Sequence, residues 1–491
     1  MVTIGGPRTN IMTIIQTQNT PRLTKTPRKW KRHRLGLLNS SGLRLRFSLS
    51  KRFLPPAESA KNRGECADLA LVDCPMQIIL HSWSYKLLGR ILCLLFVLTY
   101  IGIAVRDYVA YRLAASQQGH AIEQAVDLDP SNAEYHHSLG SYFLFFGQRP
   151  DLAIRQYKTA VALNPYNADY WLSLASAYVS AGAGDQQELA LERAVEVDPN
   201  TPEVAWEVAN AFLFRGDLRK SFTIFRHLLQ TDLQRIEPAL KICWHATYDI
   251  DMMSDVLPRA PIAYFEFLKL LIVEGKTDAA EKTWSRLVTL QQPFDPQLAT
   301  PYLEYLIARH DVDHARAAWN DLGRIDPGFR PYLTSAENLV VNGGFENKVL
   351  NMGFDWRFPD EPPAAASLDT EQFHGGNRSL SVIFDGQKVV DAGLSQLIAV
   401  SANTRYHFSV YAKTDDIFAA HGPRFVISDA YTKNPLLLTE ELLGTANWRL
   451  VSGSFNTGPG TDLLSLKIMR APGAERITGR LWIDDVVLVR Q

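Results

Sequence analysis

Hydrophobic positions along this chain follow three successive regimes. From Leu87 to Val105 the run LLGRILCLLFVLTYIGIAV is apolar throughout and carries one charge, Arg90, near its N-terminal end. About 19 helical residues cross a hydrocarbon core, and a long cationic side chain near the end of such a helix reaches the headgroups. Between about residues 106 and 330 the apolar positions recur with a helical period. From Asn338 the period becomes two. YHFSVYA puts Tyr406, Phe408, Val410 and Ala412 on one face and His407, Ser409 and Tyr411 on the other, and LLSLKIM from Leu463 alternates likewise. Several such runs, divided by Gly, Asn and Pro, predict an antiparallel sandwich.

The helical stretch repeats itself. Asp-Pro or Asn-Pro closes successive units at Pro130, Pro165 and Pro199, a spacing that resembles the tetratricopeptide repeat. In the first full unit Leu139, Gly140 and Phe143 lie on the first helix, Gly147 makes the turn, and Ala153, Tyr157, Ala160 and Pro165 mark the second helix and its end. Trp171, Leu174, Ala175, Tyr178, Gly182, Ala194 and Pro199 repeat that order. Small residues let the two helices approach, aromatics fill the space between hairpins, and proline stops each unit. A third unit runs through Trp206, Ala209, Phe212 and Phe225; residues 236–258 do not fit; later segments around Phe267 to Trp284 and Leu306 to Trp319 restore the pattern. About five full units are expected. AIEQAVDLDP from Ala121 is a lone second helix, so the apolar helix is expected to continue into the solenoid. The stretch resembles tetratricopeptide proteins of bacterial envelopes, which implies a protein partner on the concave groove.

The last segment resembles the jelly-roll carbohydrate-binding modules of bacterial glycan-degrading enzymes, on NLVVNGGFE at 338–346, GGNRSLSV at 375–382, ANWRLVSGSF at 446–455 and LWIDDVVL at 481–488. That resemblance implies a structural Ca2+ held by Glu346 with Asp484 or Asp485, and oxygen ligands suit that ion. The competing reading is that these carboxylates cap turns or pair with nearby basic groups. A polysaccharide ligand needs an aromatic platform and planar polar groups on one open face. The candidates are Trp356 and Phe358 in GFDWRF, with His407, Tyr411 and Lys413 on the polar face of their strand. Core packing is the commoner role for any one such aromatic.

Charge orients the chain. Residues 1–90 hold 16 Lys+Arg against 4 Asp+Glu, leaving 35 against 48 in the remainder. With Trp83, Tyr85 and Lys86 at the edge of the apolar run, this asymmetry predicts a single-pass inner-membrane protein with a cytoplasmic N-terminus and an exported body. Arg106 and Asp107, rather than a small-residue cleavage site, follow the run. The Pro-, Arg- and Ser-rich leader reads as disordered, with Met76 an alternative start, and is assigned no nucleic-acid partner. Cys66, Cys74, Cys93 and Cys243 are scattered, with neither zinc spacing nor a disulfide framework.

No nucleophile elbow, phosphate loop, dinucleotide fingerprint or metalloprotease helix occurs. His310 and His314 have helical metal-ligand spacing, but His310 falls at a turn; His136 and His137 point apart on a helix. Asp415-Asp416, Glu440-Glu441 and Asp484-Asp485 are neighbours that face opposite sides of a strand. The expectation is therefore a non-enzymatic, membrane-anchored scaffold of the cell envelope. It comprises a leader (1–86), a transmembrane helix (87–105), an α-solenoid (106–335) and an all-β jelly-roll sandwich (336–491), and serves surface polysaccharide assembly or export. The alternatives are a glycan-active enzyme and a sandwich that only caps the solenoid.

Overall fold

The computed structural model describes residues 83–491, apart from 117, 360–362, 474 and the side chains of 84–86. The expectations for residues 1–82, including Cys66 and Cys74, lie outside the described residues.

Helix α1 (Trp83–Ala114) extends past Val105 without a break. Its segment Leu87–Ala114 has mean hydropathy 2.3, and it is the one described helix long and apolar enough to cross a membrane. At its far end Ala110 is buried with Ala125 and Tyr135. Ala125 belongs to α2 (Gly119–Leu128), so the end of α1 supplies the missing partner of the lone second helix.

Helical hairpins follow: α3 (Ala133–Phe145) with α4 (Pro150–Leu163), α5 (Ala168–Ser180) with α6 (Gly184–Val197), and α7 (Pro202–Arg215) with α8 (Leu218–Thr231). Asn132 and Asn167 cap α3 and α5 through their side-chain oxygens, and Gly216 closes α7 in the left-handed conformation. A Cβ on Gly140 would lie 2.8 Å from ring carbons of Tyr157, which explains the small residue there. One bond recurs by different chemistry. His136 Nε2 lies 3.0 Å from the Pro130 carbonyl, and Trp171 Nε1 donates to the Pro165 carbonyl at 2.9 Å. The position asks for a ring nitrogen beside the preceding turn, so His136 is structural.

The stretch 236–258 is also a hairpin, contrary to expectation. Its first helix, α9 (Ile236–Thr247), is complete, while its second, α10 (Ile250–Met253), lasts one turn. Pro258 and Pro261 follow closely and leave little room for a longer helix. Two full hairpins complete the solenoid: α11 (Pro261–Val273) with α12 (Thr277–Thr289), and α13 (Thr300–Ala308) with α14 (Val312–Ile325).

Among the described residues the sandwich has nine strands: β1 (Ala365–Asp369), β2 (Ser379–Asp385), β3 (Asp391–Ala399), β4 (Arg405–Phe418), β5 (Arg424–Asp429), β6 (Pro435–Leu438), β7 (Gly444–Asn456), β8 (Leu463–Met469) and β9 (Thr478–Arg490). They form a five-stranded sheet, β1-β2-β9-β4-β7, and a four-stranded sheet, β3-β8-β5-β6. Tyr406, Phe408, Val410 and Ala412 of β4 meet Leu394 and Ile398 of β3 in the core between them.

Solenoid and sandwich share a second core. Val341, Met352, Phe354, Ala430 and Leu463 are buried with Leu303, Ile307 and Trp319 of the last hairpin. Leu397 and Ala399, on the outer side of β3, pack against that cluster. Tyr431 donates to the Ile307 carbonyl at 2.9 Å and stacks on His310 at 3.6 Å. Arg357 makes two bonds to Glu304, at 3.1 and 2.7 Å. One end of the outer face of the four-stranded sheet, around Leu397, Ala399 and Leu463, is thus covered by the solenoid, whereas among the described residues the solenoid does not pack on the outer face of the five-stranded sheet.

Candidate functional site

Alternation along β4 sends His407, Ser409, Tyr411 and Lys413 outward from the five-stranded sheet, because their neighbours form the core. Register sets what surrounds them. Lys413 lies opposite Trp482 of β9, and Tyr411 lies between Asp484 of β9 and Leu450 of β7. Trp448, on the same strand as Leu450, stands 5.9 Å from the His374 ring. His374, on the loop after β1, stacks on Tyr411 at 3.6 Å with 12° between the planes. Lys413 Nζ donates to Gln372 at 2.6 Å and lies 5.6 Å from the Trp482 ring centre; Arg480 lies over the same ring at 5.3 Å. The Trp482 indole donates to Asp369 at 2.8 Å. Burial pushes the Asp369 carboxyl up, but that indole, the amides of Glu371 and Gln372, and nearby Arg480 together hold it below the usual carboxylate range. At the other end of the face His407 Nδ1 meets Ser454 Oγ at 3.0 Å.

Trp356 and Phe358 are not on this face. The Trp356 ring is buried beside Phe345 and donates to the Asn342 carbonyl at 3.2 Å, and Phe358 packs against the same sandwich core. The loop-like look of GFDWRF concealed a segment tucked between the sandwich and the last hairpin. Sequence reasoning passed over His374, Trp448, Trp482 and Arg480. Trp448 of ANWRL and Trp482 of LWIDD are visible in the sequence, but without the strand register nothing places them beside Lys413.

Glu346, Asp484 and Asp485 come together around the loop at 374–378. Glu346 accepts from the Asn377 and Arg378 amides at 2.8 and 3.2 Å, and these bonds hold its carboxyl below the ordinary range. Asp484 is buried, which pushes its carboxyl up, while the His374 and Gly375 amides donate to it at 2.8 and 3.0 Å. Asp485 Oδ2 meets His374 Nδ1 at 2.7 Å. Glycines make the approach feasible. A Cβ on Gly375 would lie 2.7 Å from Asp485 Oδ2, and one on Gly376, whose φ is +60°, would strike the Glu346 carboxylate. A Cβ on Gly344 would sit 3.7 Å from Asp485 Oδ1 and 3.9 Å from Asp484 Oδ1, so acidic oxygens border the space above it. Among the described residues no group of three His, Cys, Asp or Glu side chains is already arranged to hold a metal ion.

The solenoid offers a second surface. On the first helices of consecutive hairpins, His137 Nε2 meets Ser173 Oγ at 2.9 Å and Tyr170 donates to Glu134 at 3.0 Å. Burial between Tyr157 and Tyr170 lowers the affinity of His137 for a proton. Exposed Phe145 and Phe214 end two of these helices. His310 and His314 do not converge on a metal: the first stacks on Tyr431, and the second pairs with Asp311 and Glu281.

A family described as carbohydrate binding domain matches residues 337–471. No curated protein matches the chain. Among solved structures, one titled for the structure and function of a family 4 carbohydrate-binding module is 15% identical, covering 31% of this chain and 99% of its own, with a TM-score of 0.25. A xylan-binding family 22 module from Paenibacillus barcinonensis is 14% identical over 32% of this chain and 97% of its own, at a TM-score of 0.23. The C-terminal part of a tetratricopeptide protein from Cytophaga hutchinsonii is 12% identical over 46% of this chain and 95% of its own, at a TM-score of 0.27. The chain therefore joins a run of helical hairpins to a C-terminal β-sandwich, of which residues 337–471 match the carbohydrate binding domain.

Proposed function

We propose that this protein is a non-catalytic scaffold of the bacterial cell envelope. It is fixed to the inner membrane by α1, holds a partner protein on its repeats, and contacts a glycan through the open face of the five-stranded sheet. The observation that carries the reading is the division of the sandwich into one sheet packed at one end on the solenoid and one open sheet bearing Lys413, Trp448 and Arg480 under the His374 loop. A scaffold must keep its ligand face clear of its own structure, and this arrangement does so. The most natural setting is the assembly or export of surface polysaccharide. Crosslinking in native membranes followed by mass spectrometry tests it: recovery of a polysaccharide polymerase, ligase or transporter subunit is expected, and exclusive capture of cytosolic proteins would refute the topology.

A structural calcium belongs to the same proposal. Glu346, Asp484 and Asp485 would hold it over Gly344, where it would supply positive charge to pin the loop at 374–378 against β9. Removal with EDTA should lower the melting temperature by several degrees; an unchanged melting curve would leave the amide bonds as the sole fastening.

A second reading, the sandwich as a cap that binds nothing, is favoured by the way Tyr431 and Leu463 seal the last hairpin. Silence across a glycan array together with a tight protein pull-down would select it.

A further inference from the structure

Resting on the reading of the open sheet as a glycan face, we infer that its ligand is an anionic saccharide, bound through charge rather than by stacking on the two innermost rings. Neutral sugars stack their C–H faces on bare aromatic rings. Here both inner rings are roofed. Lys413 and Arg480 lie over Trp482, which is only 5% exposed, and His374 covers Tyr411 in parallel stacking at 3.6 Å. A ligand approaching this part of the sheet therefore meets cationic groups first.

Arg480 lies near the Asp369 carboxylate, but among the described residues neither cation is held in an ion pair within the face. Lys413 contacts Gln372 and the indole, Arg480 contacts the same indole, and among the described residues neither forms an ion pair. The nearby acids are otherwise engaged or set apart. Asp369 accepts from the Trp482 indole and the Glu371 amide, Asp485 faces His374, and Asp415 stands opposite Arg480 in the strand register without pairing to it. Arg449, between Trp448 and Leu450 on β7, is opposite core-facing Ala412 and is taken by Glu440. His374 makes its ring bond through Nδ1, which leaves Nε2 for the ligand. Lys413, Arg480 and His374 together suit a carboxylate or a sulfate carried on a sugar ring, with Trp448 and Leu450 as the flanking apolar wall. General attraction of polyanions is opposed elsewhere, since residues 91–491 hold 35 Lys+Arg against 48 Asp+Glu.

The test is binding of the full chain in detergent micelles to polygalacturonate, dextran sulfate and neutral xylan, with wild type and the Lys413→Gln/Arg480→Gln double variant. Both substitutions are at the surface, and the melting temperature reports folding. Wild type should retain polygalacturonate, dextran sulfate or both more tightly than xylan, and binding should weaken as salt rises. The double variant should lose at least tenfold; because it keeps the basic residues of 1–90, that loss excludes capture by the leader. Preference for polygalacturonate identifies a carboxylate, and preference for dextran sulfate identifies a sulfate. Xylan binding as tight as that of the polyanions, insensitive to salt and unchanged in the double variant, overturns the anionic inference and leaves the glycan reading standing. Failure to bind any of the three overturns both. Should the double variant not fold, salt dependence of the wild type with the single Lys413→Gln variant decides.

Discussion

The two sheets of the sandwich share one inner core, yet their outer faces have opposite fates. Outside the four-stranded sheet lie Leu397, Ala399 and, beyond the strand end, Tyr431, all packed on the last hairpin. Outside the five-stranded sheet lie Tyr411, Lys413, Arg480 and Trp482, and among the described residues no part of the solenoid covers them. Strand alternation alone makes both outer faces look half-buried; what separates them is the partner each was given. On the covered side aromatics are joined to backbone carbonyls, as Trp319 Nε1 is to Tyr332 at 2.8 Å. On the open side they are joined to charged groups. The first arrangement excludes water and fixes a structure, while the second keeps polar groups available to a ligand.

Breaking the covered side should have the largest effect. Trp319 is buried against Phe329 and Phe354, and Gly353 approaches it so closely that a Cβ there would lie 2.5 Å from its ring. Trp319→Ala should cost about 3–5 kcal/mol, measured by denaturant unfolding, and should expose the segment near 333–340 to protease. Saccharide binding by the fraction that remains folded should be unchanged if the open face is independent.

Asp355 gives the next effect. It is buried beside the same junction, and burial raises its pKa from 3.8 to about 6 despite the Leu350 amide donating to it. A raised carboxyl pKa makes ionisation harder in the folded state than in the unfolded one. Its protonated form therefore stabilises the fold fully below about pH 4, and that contribution disappears as pH rises through 6. Asp355→Asn should leave stability near wild type at pH 4 and raise it by up to about 3 kcal/mol at pH 8. Equal effects at both pH values would contradict the assignment.

Smaller effects sharpen the contrast. Arg357 and Glu304 are partly exposed, so Glu304→Gln should cost only about 0.5–1 kcal/mol, detectable as salt-dependent loosening of the junction. Lys413→Gln, on the open side, should change the melting temperature by less than the scatter of replicate scans, because surface substitutions away from special features stay within about 0.5 kcal/mol.

Much of this was legible in residue order because the signals were local. The spacing of Pro130, Pro165 and Pro199 reports hairpins that each contact their neighbours, and the alternation of Tyr406 to Lys413 reports which side chains share a face. The stretch 236–258 was missed because α10 was cut to one turn, which removed the second half of the pattern. Trp356 was misplaced because a loop-like sequence does not say whether the loop is buried. The open face was half visible. Tyr411 and Lys413 came from strand period, whereas His374, Trp448, Trp482 and Arg480 come from a loop and two other strands whose register is set by long-range pairing.

By itself, then, the order of residues determined the apolar helix, the repeat and the outward set of β4, since each follows from a periodicity of two to four residues or a recurrence of about 34. The tertiary structure decided that one sheet would be packed at one end on the last hairpin, that Trp356 would be core, and that Lys413 and Arg480 would roof Trp482. The reason is physical: burial and charge proximity depend on which distant segments meet, and strand pairing across more than 60 residues carries no local mark in the chain.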